Sequence, residues 1–144
     1  MPAMKALADI LAELSKGGFR ITRARRSMIE VLIGSRLPIS AEGLLASLIK
    51  QKVPANKTTV YRELTFLKER RIVQEIQFLH ERVKRYEVVF GSHHHHLICM
   101  GCKSVEDVEL DGELEKYERD IMKSRGFKVL NHALEFMGLC EACR

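Results

Sequence analysis

Apolar residues recur every three or four positions through most of the first half of the chain. Leu7, Ile10, Leu11 and Leu14 fall at that spacing within residues 3–16, and the run stops at Gly17-Gly18. This predicts a helix and its C-terminal break. Thr22 stands as an N-cap before a second run, through Ile33, in which Met28, Ile29, Leu32 and Ile33 face inward, and Gly34 ends it. Ser40 caps a third helix carrying Leu44, Leu45, Leu48 and Ile49, which gives way around Val53-Pro54. Asn56 or Thr58 caps a fourth, with Val60, Leu64 and Leu67 inward, closing in Lys68-Glu69-Arg70-Arg71. The period then changes. Ile72 to Phe78 and Arg85 to Val89 alternate or are rich in β-formers, and a polar loop holding Arg82 and Lys84 joins them.

Charge gives this order a purpose. The chain of 144 residues has a formal net charge of +5. Residues 1–90 carry 17 Lys/Arg against 9 Asp/Glu, whereas residues 91–144 carry 7 against 10. A basic half that meets a polyanion and an acidic half with another task follow from that asymmetry. Short helices followed by a hairpin are the order of a winged helix, whose recognition helix enters the major groove with its N-terminal residues against base edges. Lys57, Thr58, Thr59, Tyr61 and Arg62 are therefore the candidate base readers. Arg20, Arg23, Arg25 and Arg26 at the start of the second helix, with Arg82, Lys84 and Arg85 on the wing, lie where phosphates would pass. There is no apolar run long enough to span a bilayer, and Lys5, Asp9 and Glu13 interrupt any secretory leader. The expected location is the cytoplasm, where paired thiols mean metal and not disulfide.

The four cysteines form two C-x2-C pairs, Cys99/Cys102 and Cys140/Cys143. Four thiolates at two-residue spacing suit one closed tetrahedral Zn2+. A redox dithiol would need a thioredoxin-like βαβ context that neither pair has. The run His93 to His96 precedes an apolar Leu97-Ile98-Cys99 segment, unlike a terminal tag; a solvated histidine loop is the competing reading. On a strand, successive side chains point to opposite faces, so His94 and His96 share one face and His93 and His95 the other. Two further sites of imidazole and carboxylate follow, suited to Fe2+, Mn2+, Zn2+ or Ni2+ and poorly suited to soft, thiolate-dependent copper sensing.

The segments GFRITRARRSMIEVL, ISAEGL, TTVYRELTFL, HHHHLICMGC and NHALEFMGLCEAC together resemble the ferric uptake regulator family over nearly the whole chain. The resemblance implies an α+β protein: a winged-helix DNA-binding domain over residues 1–89, a hinge near residue 90, and a small α/β dimerisation domain with a four-cysteine zinc site over 90–144. It implies a homodimeric, metal-sensing repressor of transcription on a palindromic double-stranded operator, without catalysis. By the same resemblance Cys99, Cys102, Cys140 and Cys143 match the structural zinc ligands. Glu87, His94, His96 and Asp107 match the regulatory site, which takes Fe2+ or another divalent ion such as Mn2+ or Zn2+. His93, His95, Glu115 and His132 match an additional metal site, with His95 replacing the Asp common in the family. Tyr61 and Arg62 match base contacts, and Arg20 the basic residue that reaches the minor groove.

One position departs from the family pattern. The regulatory site usually takes a histidine two positions before the Ser of the Ser-Ala-Glu motif, and here that position is Pro38. Glu87 is then the main link between metal and hinge. The expected function is regulation of iron homeostasis, with a zinc, manganese or peroxide sensor as alternatives within the family. From another class, a small metal-dependent hydrolase would need an open coordination position and a substrate cleft. A metal-storage module would have no reason to place Tyr61 and Arg62 on a capped helix.

Overall fold

The computed structural model describes residues 2–35, 37–89, 94–110, 112–130 and 132–144, without the side chains of residues 2 and 3. The chain divides into two compact units, residues 1–91 and 92–144.

The first unit runs α1 (Pro2–Lys16), α2 (Arg23–Gly34), β1 (Ile39–Ser40), α3 (Ala41–Lys50), α4 (Lys57–Glu69), β2 (Val73–Ile76) and β3 (Arg85–Val88). Each cap has a side-chain oxygen on an otherwise unpartnered helix N–H. Thr22 Oγ1 accepts from Arg25 N at 3.1 Å, Ser40 Oγ from Gly43 N at 3.1 Å, and Asn56 Oδ1 from Thr59 N at 2.9 Å. Of the two candidate caps for the fourth helix, the chain uses Asn56.

Three helices end in one motif. After α1, Gly18 takes a positive φ of 80°, and Phe19 N donates back to Leu14 O at 3.0 Å. After α3 and α4 the left-handed position falls to Lys52 and Arg71, with Val53 N on Leu48 O and Ile72 N on Leu67 O. A side chain there costs on the order of 1 kcal/mol. The apolar residue that follows offsets it, since Val53 and Ile72 are both buried. The core gathers Ile10, Met28, Ile29, Leu44, Leu48, Val60, Leu64 and Leu67. Each buried side chain of this kind contributes about 1.5 to 3 kcal/mol. Ile49 corrects the sequence reading. It has helical spacing but lies 62% exposed, near the end of α3 and beyond the reach of the core.

β2 and β3 form an antiparallel hairpin, and β1 adds to the outer side of β3 through Ile39↔Tyr86 and Ser40↔Arg85. The first strand is shorter than its β-rich run of sequence, since pairing stops at Ile76↔Arg85.

The second unit is a sheet in the order β5-β4-β6. β4 (His95–Cys99) lies between antiparallel β5 (Val105–Val108) and parallel β6 (Glu135–Gly138), and α5 (Glu113–Arg125) makes the crossover. No residue of α5 is buried. Among the described residues, no helix is long and apolar enough to cross a membrane.

Candidate metal centres and nucleic-acid interface

Two tight turns carry the thiols. Between β4 and β5, Lys103 takes a positive φ of 64°, Lys103 N donates to Cys99 O at 2.9 Å and Cys99 N to Ser104 O at 2.9 Å. This folds Cys102 back beside Cys99. At the end of the chain Cys143 N and Arg144 N both donate to Cys140 O at 3.0 Å. The four sulfurs lie within 4.8 Å of one another, and Cys102 Sγ and Cys140 Sγ stand 3.8 Å apart. The edge of a tetrahedron with Zn–S bonds of about 2.3 Å is about 3.8 Å, so the donor set fits zinc.

The electrostatics agree. Cys140 N donates to Cys99 Sγ at 3.3 Å; that N–H, with the N–H of Cys102, lowers the Cys99 thiol to about 6. The hydroxyl and N–H of Ser104 lower Cys102. Cys143 is pushed up to about 12, first because hydrogen bonds with the Cys140 and Cys99 sulfurs keep its proton in place. Gly101 is required by close approach, since a Cβ there would sit 2.9 Å from Cys143 Sγ.

Among the described residues the alternation is seen for His94, His95 and His96. His94 and His96 meet edge-on with ring centroids 5.3 Å apart. His96 pairs in register with Asp107, and its Nε2 lies 3.7 Å from Asp107 Oδ1. Two imidazoles and a carboxylate suit a first-row divalent ion. Glu87, in the first unit, lies on β3 one residue before its end and accepts from Gln74 Nε2 at 2.6 Å.

The other face of β4 carries His95, which is buried and stacks on His132 with centroids 5.1 Å apart. The carboxylate beside His132 is Glu118, whose Oε1 lies 2.6 Å from His132 Nδ1. Glu115 sits one turn earlier on α5 and is exposed. Glu118 escaped the sequence reading, although its i, i+3 spacing from Glu115 could have suggested it. His93 and the hinge residues 90–92 lie outside the described residues.

In the first unit the N-terminus of α4 presents an open hollow lined by Lys57, Thr58, Tyr61, Arg62 and Thr65. A second hollow, which Tyr61 shares, is lined by Ser40, Ala41 and Glu42 and by Arg82, Val83, Lys84 and Tyr86 of the wing. Tyr61 and Arg62 are exposed. Thr59 is half-buried, and its hydroxyl donates to Asn56 Oδ1 at 2.9 Å.

The basic candidates split into two groups. Arg20, Arg23, Lys57, Arg62 and Arg82 are exposed with no acidic partner among the described residues. Four others pair with glutamates that the sequence did not single out, Arg26 only loosely, with its Nη1 3.9 Å from Glu30 one turn on. Arg25 is locked to Glu63, with side-chain exposures of 11% and 7%. Lys84 Nζ lies 2.9 Å from Glu75, which also binds Lys68. Arg85 grips Glu81 through Nε and Nη2, and its Nη1 donates to the Pro38 carbonyl at 3.2 Å. The expectation that Arg25 and Arg85 line a phosphate path is corrected here, because their donors are engaged inside the unit.

A model of the ferric uptake regulator family matches residues 16–137. The ferric uptake regulation protein of Bacillus subtilis (strain 168) is 35% identical over 139 residues, 93% of this chain and 91% of that protein. The peroxide operon regulator of the same organism is 30% identical, covering 98% and 95%. Among solved structures, the Helicobacter pylori ferric uptake regulator, described as having three functional metal binding sites, superposes with a TM-score of 0.73 at 23% identity over 98% of this chain and 93% of that one. At that identity the superposition speaks to fold alone.

Proposed function

The chain belongs to the ferric uptake regulator family of metal-responsive regulators, and from that premise we propose that it represses genes of iron homeostasis as a homodimer on a palindromic operator. It acts by binding and performs no reaction. The observation that carries this reading is the division of labour between the units. One presents Tyr61, Arg62 and Lys57 together in an open hollow at the start of a capped helix, and the other gathers metal donors.

Cys99, Cys102, Cys140 and Cys143 hold the structural zinc, whose binding supplies folding free energy to a unit with few buried apolar residues. His94, His96 and Asp107 hold the regulatory ion, with Glu87 as the ligand from the first unit. His95 and His132, with His93 and either Glu115 or Glu118, hold the additional ion. Tyr61 and Arg62 read base edges, Arg20 enters the minor groove, and Lys57 and Arg82 meet phosphate, joined by Lys84 when it leaves Glu75. Tyr117, Ile121 and Met122 on α5, with Phe136 and Met137 on β6, are exposed apolar surface suited to a second copy.

Footprinting on genomic DNA with Fe2+, Mn2+ or Zn2+ in turn, the structural zinc retained, tests the proposal. Protection of two-fold symmetric sites near iron-uptake genes with Fe2+ or Mn2+ is expected. No sequence-specific protection with any metal would overturn it, and protection with Zn2+ alone would move the function to zinc sensing.

A further inference from the structure

Phe66, on α4, is held between two cations. The Arg25 guanidinium carbon lies 3.6 Å from its ring centroid, and that of Arg70 also lies 3.6 Å away. Two groups at that distance cannot share one face, so the ring is sandwiched. Arg70 also stands 4.1 Å from the Phe19 centroid, and Phe19 meets Phe66 edge-on at 5.3 Å. The edge of Arg25 is as fully used as its face. Nε donates to Glu63 Oε2 at 2.8 Å, Nη2 to Glu63 Oε1 at 3.2 Å, and Nη1 to the carbonyl of Arg20 at 2.7 Å.

This geometry needs a planar fork. A lysine in its place keeps the charge but cannot bond both carboxylate oxygens, reach the Arg20 carbonyl and stack in one pose. One guanidinium thus fastens the turn that carries Arg20 to the second and third turns of α4, at Glu63 and Phe66, just beyond Tyr61 and Arg62.

We propose that Arg25 is a positioning residue for sequence specificity: it fixes the distance between the Arg20 turn and the recognition helix, so that the two read one half-site in a single register. The inference rests on the DNA-binding reading above. Arg25 itself does not touch DNA. Base contacts discriminate only when their donors are held against particular edges, whereas phosphate contacts tolerate small displacements.

The test uses full-length, zinc-loaded protein with Mn2+, the operator it selects from a random pool, and random DNA. Arg25→Lys is expected to lower the selected-to-random affinity ratio about tenfold, the scale of one base contact, with the salt dependence of binding unchanged. Arg20→Ala should cost specificity in the native background and much less in Arg25→Lys, because a misplaced Arg20 has little left to lose. If Arg25→Lys does not fold, Phe66→Leu keeps the ion pair, removes the stack and carries the same expectations. An unchanged ratio, strictly additive effects, or a salt slope lowered by about one unit, the mark of a lost phosphate contact, would each overturn the proposal. If the native protein selects no sequence at all, the DNA-binding reading falls with it, and by a different measurement.

Discussion

Replacing Glu63 by alanine removes the partner of a cation that has little access to water. Arg25 and Glu63 expose only 11% and 7% of their side chains, and two hydrogen bonds join them. Breaking a buried pair from one side costs about 3 to 5 kcal/mol, mostly because the surviving charge is left without compensation. Arg25 would keep the Arg20 carbonyl and the Phe66 face, and alanine favours the helix by a few tenths of a kcal/mol. The expected loss is therefore at the low end, about 3 kcal/mol. With a slope of about 1 to 1.5 kcal/mol per molar urea, the midpoint should fall by about 2 to 3 M. Far-UV circular dichroism during urea titration reads this, since four of the five helices lie in the first unit. Glu75→Ala is the control. It breaks two lysine–carboxylate pairs that are more exposed, with side-chain exposures of 40% and 55% for Lys68 and Lys84 and 24% for Glu75, and should move the midpoint by about a third as much or less. Equal shifts for the two variants would mean that burial gives the Arg25–Glu63 pair no special weight.

Glu75→Gln should free Lys68 and Lys84 and tighten binding to any DNA about two- to fivefold, the scale of an exposed ion pair; weaker or unchanged binding in fluorescence anisotropy would refute this. Lys68 and then Lys84 hold the Glu75 carboxyl below its ordinary value of 4.5, so the tie is intact above that value and lost as pH falls through the lowered one, and Glu75→Gln should abolish this pH dependence. Cys140→Ser should lose zinc and unfold the second unit, measured by metal content and sedimentation, and a stable zinc-free dimer would contradict the structural role. Arg62→Ala should cost about 1 to 3 kcal/mol and relax one operator position, whereas Lys84→Ala should weaken all sequences alike, and only modestly, given its bond to Glu75. With Pro38 in place of a histidine ligand, the native DNA response to Fe2+ or Mn2+ should be modest, larger in Pro38→His and nearly absent in Glu87→Ala; a large response surviving Glu87→Ala would mean the regulatory ligands are misassigned.

What could be read from the sequence was local. Thr22, Ser40 and Asn56 announce helix starts because a cap acts within three residues of itself. The C-x2-C pairs announce a metal because two-residue spacing alone folds both sulfurs inward. The alternation of His94, His95 and His96 follows from the strand period. What stayed hidden was long-range. Two residues of β1 have no period to detect, and Ile39 and Ser40 become a strand only because β3, more than forty positions later, offers an edge. Glu63 lies 38 residues from Arg25, so nothing near either position distinguishes a buried clamp from a solvated surface charge. Glu75 and Glu81 were not remote, lying seven and nine positions from Lys68 and Lys84 and four from Arg85; counting the wing's cations without these nearby carboxylates overstated its positive charge.

The thiolate cluster also keeps count for β4. A strand written in consecutive histidines offers imidazole on both faces in either register, so the tract contains no information about its own phase, and a slip of one residue would exchange the faces. The phase is set downstream. Cys99 must reach the other three sulfurs, Ile98 must stay inside, and the Met100 N–H must find the Gly138 carbonyl at 2.8 Å. Counting back from that datum places His96, and not His95, opposite Asp107. The four-thiol cluster is in this sense the reading frame of the strand: a four-sulfur punctuation mark that tells a run of identical letters which of them faces Asp107 and which faces His132.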